Sequence, residues 1–221
     1  MKRMYVILGV LMIFRLASTA SAQKNRIGIL GGLNFANLDV DSGKTSNRNA
    51  YGFGGFLELG LGEKLALCLQ PMFLQKGAKI VMEEGAEGLS GEFQMSYIEI
   101  PVLLKLPLGS GGAVPYLLAG PTVGFVTSSK VLVKVLEISV DADFKDATKS
   151  LDVGAVFGGG IQLPMGQNRI FVEAKYSLGL ADIAQAGEIN ALGMTGSIPD
   201  TEVKTKGIQI MAGISMPFGG K

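Results

Sequence analysis

The sequence predicts an all-β fold, an eight-stranded antiparallel up-and-down transmembrane β-barrel. Three observations predict it. Apolar residues recur with period 2 in one segment after another, the connections between those segments alternate between short and long, and the chain opens on an export signal.

The export signal comes first. Met1-Lys2-Arg3 is a basic start, Met4 to Phe14 an apolar run, and Ala20-Ser21-Ala22 a small-x-small cleavage site. Residues 1–22 are therefore expected to be a cleaved signal peptide, and residues 23–221 one outer-membrane domain. The apolar run is too short for a membrane anchor and Arg15 interrupts it. Removing it takes away Lys2, Arg3 and Arg15 and no acid, leaving 17 basic against 19 acidic side chains, a balance that argues against a nucleic-acid partner.

Eight segments carry the strand pattern, at 25–36, 50–61, 64–76, 93–107, 114–127, 151–164, 169–181 and 206–218. In the first, Ile27, Ile29, Leu33 and Phe35 oppose Gly28 and Asn34. In the second, Tyr51, Phe53, Leu57 and Leu59 oppose Gly52, Phe56 and Glu58. The third sets Leu65, Leu67, Leu69 and Phe73 against Ala66, Cys68 and Gln70, and the fourth sets Ile98, Ile100, Leu104 and Leu106 against Glu99, Leu103 and Lys105. The fifth is apolar on both faces and leans on its neighbours. Leu151, Val153, Phe157 and Ile161 oppose Asp152, Gly158 and Gln162 in the sixth, and Ile170, Val172, Ala174 and Tyr176 oppose Glu173, Lys175 and Ser177 in the seventh. Ile208, Ile210, Ile214 and Met216 oppose Gln209, Met211 and Ser215 in the last. A helical reading fails where it is most tempting: Leu106 to Ser129 carries no charge, yet Pro107, Pro115 and Pro121 punctuate it.

Gly62-Glu63, Gly109-Ser110-Gly111-Gly112 and Gly166-Gln167-Asn168 make tight turns, whereas Asp39 to Asn49 and Ala184 to Thr205 are long polar loops. Short periplasmic turns with long external loops are the outer-membrane pattern, and an even strand count puts both termini on the periplasmic side. The soluble rival, a lipocalin-like barrel, would put its charges outside. Here the in-strand charges all lie on the less apolar face, and that face is too poor in charge to meet water.

The placed segments resemble the small outer-membrane β-barrel family that includes the PorT-type proteins of Bacteroidetes-like bacteria. The resemblance is carried by Gly32-Leu33-Asn34-Phe35-Ala36-Asn37-Leu38, Leu69-Gln70-Pro71-Met72-Phe73, Tyr97-Ile98-Glu99-Ile100-Pro101, Pro115-Tyr116-Leu117-Leu118-Ala119-Gly120-Pro121, Gly158-Gly159-Gly160 and Tyr176-Ser177-Leu178-Gly179-Leu180. It implies the fold and an outer-membrane lipid environment, in a family that mixes secretion accessories, adhesins and barrels of no assigned role. The expected function is non-enzymatic, a structural or interaction barrel with functional external loops or an accessory to envelope or secretion machinery. This chain departs from the family in having Lys175 where members often carry Arg. It also runs past Phe218 into Gly219-Gly220-Lys221, beyond the Gly213, Met216 and Phe218 spacing that the barrel-insertion machinery would read.

Candidate chemistry is sparse. The sequence has no histidine, which removes Ser-His-Asp triads, Cys-His pairs and His-based zinc sites. Gly43-Lys44-Thr45 lacks the glycine a phosphate loop needs five positions earlier, where Leu38 stands, and Asp39 to Gly43 lacks the closing glutamate of a calcium loop. Cys68 is a lone cysteine, read as a packing residue. No catalytic, cofactor or metal site is expected. The one constellation is a polar cluster facing the lumen: Glu58, Gln70, Glu99, Lys105, Glu173 and Lys175. An eight-stranded barrel is only wide enough to be filled by side chains, so the cluster reads as a plug of salt bridges, with a narrow channel for ions or small solutes as the alternative. Partners at the external loops are not legible.

Overall fold

The computed structural model describes residues 25–40, 44–62, 64–81, 89–135, 138–145, 148–184, 187–191, 194–198 and 202–219. The predicted signal peptide lies outside the described residues. The strands are β1 (Arg26–Val40), β2 (Thr45–Ser46), β3 (Arg48–Gly60), β4 (Ala66–Leu69), β5 (Met72–Ile80), β6 (Leu89–Pro107), β7 (Val114–Val135), β8 (Ile138–Asp143), β9 (Leu151–Met165), β10 (Asn168–Gly179), β11 (Gly187–Ala191), β12 (Met194–Ile198) and β13 (Val203–Pro217).

The expected eight-stranded up-and-down barrel is therefore corrected. Eleven strands form one antiparallel sheet in the order β2-β5-β6-β4-β3-β1-β13-β10-β9-β7-β8, with further ladders β3–β5 and β6–β7, and β11–β12 form a separate hairpin. Three physical causes account for the difference. Pro71 has no N–H for the ladder and divides the expected third strand into β4 and β5. The long loops carry strands of their own, β2, β8, β11 and β12. And β6 and β7 run well beyond the expected segments, to Leu89 and Val135. The long strands each have hydrogen-bonded neighbours on both sides; β1, for example, pairs with β13 and β3, and β7 with β6 and β9.

The expected faces are seen in the burial. Ile29, Leu33, Phe53, Leu104, Phe157, Val172, Ile208 and Ile210 are about half exposed or more, while Glu58, Glu99, Glu173, Lys105 and Lys175 are buried. A water-soluble sheet does the reverse. Charges inside and a continuous aliphatic coat outside suit a hydrocarbon solvent. No helix among the described residues is long and apolar enough to cross a membrane.

Glycine on the inner face makes room for large neighbours. A Cβ on Gly213 would lie 2.3 Å from Cζ of Phe171, and one on Gly160 would lie 2.6 Å from the Tyr116 hydroxyl. The space goes to aromatic packing: Phe171 meets Phe56 edge-on at 5.1 Å between ring centroids. At the loop end, Ser96 pairs with Ser128 but Tyr97 with Val126, so Thr127 is an extra residue on β7. Its hydroxyl donates to the Ser96 carbonyl at 3.0 Å. Beyond this bulge β6 and β7 continue as a ribbon, with β8 added on β7.

Candidate functional site

The inner face carries its polar side chains in three tiers, counted from the tight-turn end. The sequence puts each one there by parity. Glu58 shares a face with Phe56, Lys105 with Leu103, and Lys175 with Glu173, and each of these side chains is buried.

The lowest tier is the best satisfied. Lys105 Nζ lies 2.7 Å from Glu58 Oε2, donates to Gln162 Oε1 at 2.8 Å, and stands 4.2 Å from the centroid of the Tyr116 ring. Beside it, Lys175 Nζ lies 2.7 Å from Glu173 Oε1 and donates to Gln70 Oε1 at 2.6 Å. Gln70 Nε2 donates back to Glu173 at 3.2 Å, and the Tyr116 hydroxyl donates to its other oxygen at 3.3 Å. Tyr116 thus joins two ion pairs, and Gly160 is the residue that lets its ring lie there. At the very end, Arg26 donates from Nε to the Ser215 hydroxyl and from Nη2 to the carbonyls of Gln167 and Ser215, each at 3.0 Å.

The middle tier is built on Lys76. Its Nζ lies 2.5 Å from Glu99 Oε2 and 3.4 Å from Asp152 Oδ2, 4.7 Å from the Tyr97 ring centroid. The approach to Glu99 is a charge contact outside hydrogen-bond geometry, and both Glu99 oxygens lack a hydrogen-bond partner. Thr205 donates to Asp152 Oδ2 at 2.9 Å, leaving Oδ1 unbonded, and the Gln209 amide is unbonded at both ends. The third tier, nearest the loops, is the Arg48–Glu92 ion pair, with Gln94 donating to Glu92 at 3.0 Å. Among the described residues, five cations (Arg26, Arg48, Lys76, Lys105, Lys175) in these tiers balance five acids (Glu58, the partly exposed Glu92, Glu99, Asp152, Glu173).

Of the six residues expected on this face, Glu58 pairs with Lys105, Glu173 and Lys175 pair through Gln70, and Glu99 stands apart with Lys76. The geometry gives Glu173 to Lys175, two positions along its own strand. Arg26, Lys76, Tyr97, Asp152 and the Arg48–Glu92 pair were missed. For Lys76 and Asp152 the signal was available, since they share parity with Gln70 and Gln162. Cys68 is buried, its sulfur 4.0 Å from Glu58 Oε2.

Very little space remains. Among Phe56, Glu58, Gln70, Lys105, Tyr116 and Glu173 the residual cavity is about 10 Å³, at the lower limit for a single water. A lipid-coated antiparallel sheet with a neutral, ion-paired interior is an integral membrane protein of the outer-membrane β-barrel class. The comparisons agree. The profile of the outer membrane protein beta-barrel domain matches residues 20–185, three quarters of the chain, and the chain belongs to that family. It is accordingly an outer-membrane protein, in a lipid environment.

Among solved structures it is similar to the outer membrane protein OprG of Pseudomonas aeruginosa, at 13% identity over 91% of this chain and 99% of that one, with a TM-score of 0.52. It is also similar to Ail, the attachment invasion locus protein of Yersinia pestis (15% identity, 88% and 100% covered, TM-score 0.45). Neisserial surface protein A is a third (12%, 90% and 99%, TM-score 0.44). At these identities the likeness concerns the fold alone. No curated protein sequence matches. The family match is general and does not single out the PorT-type branch.

Proposed function

We propose that this is a non-enzymatic outer-membrane barrel whose interior is a structural plug and whose working surface is its external loops. The observation that carries this reading is the filled lower tier, where two ion pairs share Tyr116 and about 10 Å³ is left open. A space that size, at the lower limit for one water, supports a closed interior. The absence of histidine supports the reading that the barrel does no acid–base or nucleophilic catalysis of the common kinds. Both termini then sit in the periplasm beside the tight turns, and the last strand, with Gly213, Met216 and Phe218, is what the insertion machinery engages. The PorT-type resemblance supports an accessory role in an envelope or secretion assembly, with the partner held at the loops. The test is electrical. The wild-type protein in a planar bilayer gives no steady single-channel current under this reading, and robust, salt-dependent channels would replace it with the channel function.

A further inference from the structure

The tight-turn end opens into a vestibule of about 720 Å³. Lys64, Arg169, Gln162 and the Gly109–Gly112 turn line it, together with apolar Leu108 and Pro164. Two basic side chains face it and no acid does, among the described residues. The described acids near that end are already committed: Glu58 is bonded to Lys105 and Glu173 to Lys175. No described acid pairs with Lys64 or Arg169, and Arg169 stands close enough to Arg26 for the two guanidiniums to repel. Arg26 cannot relieve this by turning away, because Ser215 and the Gln167 carbonyl hold it.

Such a hollow favours an anion. An arginine fork presents paired N–H donors to an oxyanion, and a lysine adds a point charge. The turn contributes backbone: Gly109 and Gly111 both have positive φ, 146° and 123°, and a Cβ at either would meet nothing within 4 Å, so the turn is open to the hollow. The apolar share of the wall, Leu108 and Pro164, suits a ligand that is amphiphilic as well as charged. We propose that this vestibule binds a phosphate ester, with Arg169 and Lys64 as its principal ligands. The source is a soluble phosphate ester or the headgroup of an anionic phospholipid in the adjacent leaflet. The proposal concerns the turn end and does not depend on whether the interior conducts.

The experiment uses the full mature chain folded in a zwitterionic detergent. Inorganic phosphate and short-chain phosphatidylglycerol are titrated separately, with short-chain phosphatidylcholine as the control, and binding is read by calorimetry and ³¹P line broadening. Arg169→Gln and Lys64→Gln each weaken binding by about tenfold, as loss of a charge-assisted contact does, while Arg169→Lys retains part of it. Heat-modifiable gel migration confirms that the variants fold. Binding of both probes assigns the site to phosphate as such, and binding of phosphatidylglycerol alone assigns it to the lipid headgroup. Binding no stronger than that of phosphatidylcholine, or undiminished in Lys64→Gln/Arg169→Gln, overturns the proposal.

Discussion

Lys105→Met removes the ammonium at the centre of the lowest tier and keeps most of the side chain's bulk. What it leaves behind sets the magnitude. Glu58 is 5% exposed and loses its cation at 2.7 Å; its remaining side-chain hydrogen-bond partner is the Cys68 sulfur at 4.0 Å, a weak donor, and its register partner Arg26 is held by Ser215 and the Gln167 carbonyl. At that separation the Coulomb attraction is about 6 kcal/mol for an effective dielectric of 20, before desolvation is counted. Orphaning one member of a buried pair costs about 3–5 kcal/mol in practice. Gln162 loses its donor as well. The expected result is a fall of about 3–5 kcal/mol in urea-unfolding stability in lipid vesicles. Lys105→Met combined with Glu58→Gln should recover much of that loss, because no unpaired charge remains; Glu173 need not be altered, since Lys175 neutralises it. A single mutant within 1 kcal/mol of wild type, or a double mutant no more stable than the single, would refute the argument that this pair holds the plug together.

Other consequences can be measured in the same way. Ile210→Lys places a charge on the outer face, where Ile210 is 46% exposed, and should cost about 2–4 kcal/mol in vesicles, whereas Ile210→Phe should be nearly neutral; equal midpoints would mean that the face does not meet lipid. Gly160→Ala sets a methyl group 2.6 Å from the Tyr116 hydroxyl and 2.5 Å from the Val172 carbonyl. Overpacking of that kind should cost about 1–3 kcal/mol, with no loss if Tyr116 is not held in place. At the loop end, burial alone would raise the Asp182 carboxyl, but the hydrogen bond from Lys149 and those from the amides of Val203 and Ala184 hold it below its ordinary value of 3.8. Its stabilising effect is therefore complete above pH 3.8 and is lost as pH falls through the lowered value. Limited proteolysis should show the segment around 182–203 opening at acid pH in wild type. Asp182→Asn should leave it open at neutral pH too, and identical pH profiles would show that the carboxylate is not the latch.

Period 2 alone disclosed which residues face lipid and which face inward, because burial on one side of a strand leaves a mark every second residue. It could not disclose which inward charges meet. That depends on the stagger between strands, which no single segment encodes. Lys105 has Ala66 and Leu118 as its register partners, yet its ion pair reaches across β4 to Glu58 on β3. Glu173 and Lys175 lie on one face of one strand and pair directly, but that Gln70 of the opposite wall bonds to both was hidden for the same reason. Lys76 was legible by parity with Gln70 but was obscured by Pro71, which interrupts the strand between them. The strand count erred where local signals vanish. The lower part of β7 is apolar on both faces and the Thr127 bulge then shifts the strand by one residue, so no phase carries into Ser128 to Val135. The strands inside the loops are only two to six residues long, too short for a period-2 pattern to stand out.

The ribbon above that bulge has a mechanical consequence. From Ser128 to Val135, β7 advances eight residues beyond Thr127, with β6 paired to it throughout. At about 3.3 Å per residue and a tilt of about 45°, this lifts its tip about 20 Å clear of the bulge. A ladder flanked by β5 on one side and β8 on the other resists bending far better than a loop of equal length. Whatever the ribbon meets is therefore held at a fixed stand-off from the lipid, and the chain uses stiffness, where a longer loop would use slack, to gain reach.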